Sequence, residues 1–175
     1  MPYLLTMKAD QIIQQLEINR MVFQSLFAEK EKRQYLWKPD SVSWSLLEIV
    51  CHLYDEECED FSARVFNTLL TPDKDPPSID PQGWVSFRKY NDQNYVEKVD
   101  AFLSARQDSV KKLKEFNDPH WENVYHHAAL GPISAYQFLT NWLAHDYHHI
   151  RQVNRRLYEY LKESSGVDLT YAGSW

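Results

Sequence analysis

Four long stretches of this chain repeat apolar residues at helical spacing, and no stretch alternates as a half-buried strand would. Helix A spans about Lys8 to Glu29, with Ile12, Leu16, Phe23 and Leu26 on one face. Helix B opens on Ser45-Leu46-Leu47-Glu48, a capping box in which the Ser hydroxyl takes an early amide and the Glu reaches back. Its stripe is Leu46, Val50, Leu53, Phe61 and Val65, and it ends near Leu70, before Thr71-Pro72. Helix C covers about Asn91 to Phe116, with Val99, Phe102, Val110 and Leu113 inward, and Asn117-Asp118-Pro119 stops it. Helix D starts at a second capping box, Ser134-Ala135-Tyr136-Gln137, and runs to about Lys162, with Ser164-Ser165-Gly166 closing it.

This pattern predicts an all-α fold, a four-helix bundle forming one domain over residues 1–175. Between B and C, Pro72, Pro76, Pro77, Pro81 and Gly83 mark a long connection, and its Trp84 and Phe87 imply that it packs. The stretch from Asn117 to Ile133 reads as a connector with turn chemistry.

Charge removes whole classes of function. The net charge is -6 with no Lys/Arg stripe, which argues against nucleic-acid binding. No apolar run approaches the roughly 20 residues that span a bilayer. The first eight residues carry no basic leader, so the expected compartment is the cytoplasm. Cys51 and Cys58 lie seven residues apart on one predicted helix. That is about 10.5 Å along its axis, too far for a disulfide. They read as small buried residues, with a catalytic thiol the minor alternative.

Helix D carries His145-Asp146-Tyr147-His148-His149. His145 and His149 are spaced i, i+4, so both rings leave one face a turn apart. Phe138, Trp142, His145, His149 and Val153 form one stripe, apolar except for the two histidines. Burying an unpartnered polar ring costs roughly 1–3 kcal/mol, so this pair needs partners. Two readings stand: histidines satisfied by core hydrogen bonds, or ligands of one metal ion. His148 falls off the stripe, towards the bundle edge. A third candidate, His52, flanks the apolar stripe of helix B. Asp55 and Glu56, at i+3 and i+4, could orient its ring or take a proton, or could belong to a solvated acidic face. Glu57 and Asp60 read as that solvated face.

Taken in order, Trp44-Ser45-x-x-Glu48-x-x-x-His52-Leu53-x-Asp55 and His145-x-x-His148-His149-x-x-Gln152 resemble the DinB/YfiT-like family of helical metalloproteins. The similarity extends over nearly the whole chain, including Gly131-Pro132-Ile133-Ser134 at the entry to helix D. The resemblance implies a four-helix bundle with a long crossover connection between helices B and C, with B and D near-parallel neighbours. It also implies a divalent metal held by His52, His145 and His149, with zinc or nickel the usual ion, and often a homodimer. Its characterised members include transferases that use low-molecular-weight thiols.

The expected function is therefore a metal-dependent enzyme resembling thiol S-transferases, acting on a small-molecule electrophile with Asp55 or Glu56 as orienter or proton acceptor. A metal-dependent hydrolase and a non-catalytic metal-binding stress-response protein are the alternatives. Tyr54, Trp84, Tyr147 and Arg151 are candidate pocket residues, although core packing explains the three aromatics equally well. His120, His126 and His127 read as loop residues, and the tail from Tyr171 to Trp175 is given no role.

Overall fold

In the computed structural model, which describes residues 7–173 and Trp175, the four expected helices form and pack as a bundle. The remaining residues of the N-terminal stretch and of the tail lie outside the described ones. Helix A is α1 (Ala9–Phe27), and a single turn, α2 (Lys32–Tyr35), follows it. Helix B is α3 (Leu46–Asp55), a wider π turn (Glu56–Phe61) and α4 (Ser62–Leu70) in one continuous run. The crossover holds α5 (Pro81–Phe87) and a 3-10 turn at Tyr90–Asp92. Helix C is α6 (Tyr95–Glu115) and helix D is α7 (Ala135–Ser165).

Both predicted capping boxes are made. Ser45 Oγ accepts from the Glu48 amide at 3.2 Å while Glu48 Oε2 accepts from the Ser45 amide at 2.8 Å. Ser134 and Gln137 repeat the pattern, and Gly166 ends α7 at φ 65°. That angle suits glycine because it has no Cβ to clash.

Side-chain pairs give the direction of each helix. Phe23 meets Phe102 and Phe27 meets Tyr95, so α1 and α6 are antiparallel. Tyr54 lies under Lys98 and Glu57 binds Arg106, so helix B and α6 run the same way. Leu46 to Leu53 share a core cluster with Val153, whereas Val65 shares another with Phe138 to Leu143. Helix B and α7 are therefore neighbours but antiparallel, which corrects the near-parallel pairing that the resemblance implied. Because B and C run in parallel, the chain must return along the bundle between them, and this requires the long crossover.

Within that crossover Asp80 caps α5 by accepting from the Gly83 amide at 3.0 Å. A Cβ on Gly83 would run into the Asp80 carboxylate, so a larger residue there would displace the cap. Trp84 is buried as expected, but Phe87 is 84% exposed. Phe87 is the last residue of this short helix and lies beyond the turn that Trp84 buries. The connector before α7 also differs from expectation, forming a hairpin of β1 (Val124–His127) and β2 (Gly131–Ser134). Four-residue strands are too short to show alternation.

The acidic stretch of helix B is not a solvated face, because Glu57 continues the α stripe of Leu46, Val50 and Leu53. The π turn at Glu56–Phe61 then adds one residue, so everything after it is rotated by about 100°. Glu57 and Asp60, expected in solvent, are buried, and Cys58, expected in the core, is exposed. Cys51 is buried as expected, and burial pushes its thiol up to about 12.

Glu57 belongs to a buried network that joins all four helices. Arg106 donates from Nε to Glu57 Oε2 at 2.8 Å. It also grips Asp146 with Nη1 and Nη2 at 2.7 and 2.8 Å. Asn19 of α1 donates to Asp146 at 3.0 Å, and Trp142 Nε1 donates to Glu57 Oε2 at 3.0 Å. One guanidinium faces two carboxylates and Asp146 holds the bidentate contact, so burial raises the Glu57 carboxyl in spite of Arg106. Arg106→Ala should cost roughly 3–5 kcal/mol in urea unfolding, because it strands two buried carboxylates. A loss below about 1 kcal/mol would remove the network from any structural role.

Candidate metal centre

The antiparallel packing of α3 on α7 brings the three predicted histidines together. His52 Nε2 lies 3.3 Å from His145 Nε2, and His149 Nε2 lies 3.0 Å from the same atom. All three ligand atoms fall within 4.8 Å of one another. Two imidazole nitrogens on one tetrahedral ion, each at about 2.0–2.1 Å, stand roughly 3.3 Å apart. The spacing therefore fits a shared ion.

Protons cannot satisfy the arrangement equally well. His149 Nδ1 is 2.7 Å from Gln152 Oε1, which only a protonated Nδ1 can use. A neutral His149 then presents a bare Nε2 to the cluster. A single hydrogen on His145 Nε2 could serve one neighbour well and not both. The donor set is thus three imidazole nitrogens with a converging centre, which suits a divalent ion of the zinc, nickel, copper or iron kind.

Burial keeps the rings uncharged. His52 is pushed down to about 3, first by burial and then by His149. Burial pushes His145 down to about 2, with His149 and His52 adding to it. His149 falls to about 4 through burial, opposed by its bond to Gln152. Two aromatic rings help to exclude water: Trp44 packs 4.9 Å from the His52 ring and Phe61 packs 4.7 Å from the His145 ring.

Glu56 and Asp55 have different surroundings. Glu56 Oε1 is 4.0 Å from His52 Nδ1, and both atoms are buried without a hydrogen-bond partner among the described residues. Burial, then the adjacent Asp60 carboxyl, raises Glu56 to about 8. Asp55 is engaged elsewhere, accepting from Tyr90 Oη at 2.6 Å and pairing with Arg88 Nη1 at 2.9 Å. It anchors the crossover to helix B.

The other candidates are dispersed. His148, Tyr147 and Arg151 are exposed. Trp84 is buried under the Arg88 guanidinium, and Tyr54 is half-buried beneath Lys98. His127 Nδ1 accepts from the Ala129 and Leu130 amides at 3.1 Å each and so caps the hairpin turn. Sequence reasoning missed Arg106 and Asp146, although the signal was present. Arg106 sits four residues from both Phe102 and Val110, and Asp146 seven from both Leu139 and Val153, each on a buried stripe.

A bundle with three converging histidine nitrogens is a helical protein that could hold a catalytic or structural metal. The family model of the DinB superfamily matches residues 15–153, and the chain belongs to that superfamily. Among solved structures it is similar to YfiT from Bacillus subtilis, described as a probable metal-dependent hydrolase with an unusual four-helix bundle topology. That similarity has a TM-score of 0.76 at 16% identity and covers 96% of this chain and 94% of YfiT. No curated protein matches the chain. Among the described residues, no helix is long and apolar enough to cross a membrane.

The depressed ring values have a sign. An unfolded histidine takes a proton near pH 6.5, whereas these folded rings resist it to about pH 4 or below. In that window the unfolded chain binds more protons, so these three rings weaken the metal-free fold as pH falls. Their ring C–H resonances should stay fixed between about pH 8 and about pH 5. A midpoint above about pH 6 in any of them would contradict the burial.

Proposed function

We propose that the chain holds one divalent ion on the Nε2 atoms of His52, His145 and His149 and acts as a metal-dependent enzyme on a small molecule. The observation that carries this reading is the convergence of three imidazole Nε2 atoms at 3.0 and 3.3 Å, with His52 and His149 buried and His145 half-buried. An ion on three neutral ligands keeps its full double charge and, as a Lewis acid with open positions, lowers the pKa of a water or thiol. Zinc or nickel suits the ligand set.

The chain's own groups complete the site. Gln152 fixes the His149 tautomer through its 2.7 Å contact. Glu56, with an unpartnered oxygen 4.0 Å from His52 Nδ1, is the group to orient that ring or to accept a proton. Asp55 supports this half of helix B through Tyr90 and Arg88.

For the reaction itself, transfer of a low-molecular-weight thiol to an electrophile follows from the resemblance carried by the histidine motifs. Hydrolysis is the second reading, favoured by the description of YfiT. A homodimer belongs to the same resemblance, the cytoplasm is the expectation from the N-terminal sequence, and a stress-response role goes with the non-catalytic alternative.

Two measurements test this. The purified parent should carry about one ion per chain and His149→Ala almost none, while His148→Ala matches the parent. Equal metal in parent and His149→Ala would sink the assignment. Glu56→Gln should weaken metal affinity about tenfold to hundredfold, as loss of an orienting carboxylate does. A chloronitrobenzene with added thiols, run beside nitrophenyl esters without thiol, then separates the reactions. Conjugate formed only with metal and thiol identifies the transferase, and thiol-independent ester cleavage the hydrolase. Metal binding with neither reaction leaves a non-catalytic protein.

A further inference from the structure

Beside the histidines lies an open cavity of about 380 Å³. Helix B gives it Asp60, Phe61 and Arg64, the hairpin gives Leu130 and Ile133, and α7 gives Phe138. Phe61 is common to both places, because it lines the cavity and packs 4.7 Å from the His145 ring. Asn141, also in the wall, sits one turn before His145 on α7. The cavity and the metal centre thus share Phe61 as a wall residue.

Its chemistry selects a class of ligand. Asp60 and Arg64 in the wall are bonded to each other, and His127, also in the wall, spends its Nδ1 on the Ala129 and Leu130 amides. A charged ligand would have to leave water without gaining an unpaired partner, which is costly. Apolar side chains form most of the remaining wall. Leu130 is 72% exposed, yet its amide is pinned by His127 Nδ1 at 3.1 Å, so this apolar rim is held in place.

We propose that this cavity is the specificity pocket of the histidine site and receives the apolar body of a neutral small-molecule substrate. The proposal rests on the reading above for what happens at the metal, but its binding can be measured without chemistry. The probe is N-phenyl-1-naphthylamine, a neutral apolar fluorophore, compared with its sulfonated analogue 8-anilinonaphthalene-1-sulfonate.

The metal-loaded protein should bind the neutral probe saturably at one site, at least about tenfold more tightly than the sulfonate. Leu130→Asp, at an exposed position that folding tolerates, should weaken the neutral probe about tenfold or more with an unchanged melting temperature. Ile133→Asp, accepted only if its melting curve stays cooperative, should do the same. In whichever assay shows turnover, each methylene added to the substrate should raise kcat/KM about threefold in the parent and much less in Leu130→Asp. Absence of saturable binding, equal binding of the sulfonate, or binding indifferent to Leu130→Asp would overturn the proposal. Probe binding as described without turnover would instead defeat the reaction proposed above and leave the pocket standing.

Discussion

Arg106 is the constraint on which the bundle depends. A fully buried guanidinium must be matched, and here its partners come from two other helices, with Asn19 of the fourth completing Asp146. Apolar side chains can slide past one another at small cost, but a buried charge cannot leave its counter-charge. Replacing such a network with apolar residues is often neutral for stability, so its effect lies in register more than in energy. The register it sets passes straight to the metal centre. His145 is the residue before Asp146, and His52 lies five before Glu57, so locking these two carboxylates onto one guanidinium sets the heights at which the rings meet.

The centre itself runs against the rules that build the rest of the core. Elsewhere most buried polar groups find partners, as in the capping boxes and in Tyr95, whose hydroxyl donates to the Phe27 carbonyl at 2.8 Å, although Glu57 Oε1, Thr68 Oγ1 and Arg156 Nε find none among the described residues. At the centre, His52 Nδ1 and Glu56 Oε1 are buried, close and unpaired. Departures of this kind are expected where a chain gives up stability for a binding site. The aromatic walls, Trp44 and Phe61, keep the dielectric low, which depresses the ring values and makes any charge placed there strongly felt.

Much of this was legible in the sequence, and the limits have physical causes. The i, i+4 pair His145 and His149 follows from helical geometry alone. His52 needed helix B beside helix D, a tertiary fact that periodicity does not hold, and the family resemblance supplied it. That resemblance also suggested the wrong relative direction for the two helices, because motif order says nothing about which way a neighbour runs. Phe87 was expected to pack because large apolar residues usually do, yet the short helix α5 turns it away. Arg106 and Asp146 were passed over because charged residues on an apolar stripe look like errors of pattern until their partners are known. The hairpin was too short to register.

The stripe of helix B records its π turn in its own arithmetic. Counted in α turns from Leu46, the inward position after five turns would be Arg64, but Val65 is the buried one. The helix thus carries one residue more than its pitch would use. Taking one residue out between Glu56 and Phe61 would close the π turn to an α turn, and Val65 would then fall at the inward position that plain α counting assigns. The extra residue is thus absorbed locally, and a relative with an unbroken α-helix here keeps the core of α4 in place by having one residue fewer. One further residue inserted at the same point would instead bring Arg64 into the place of Val65.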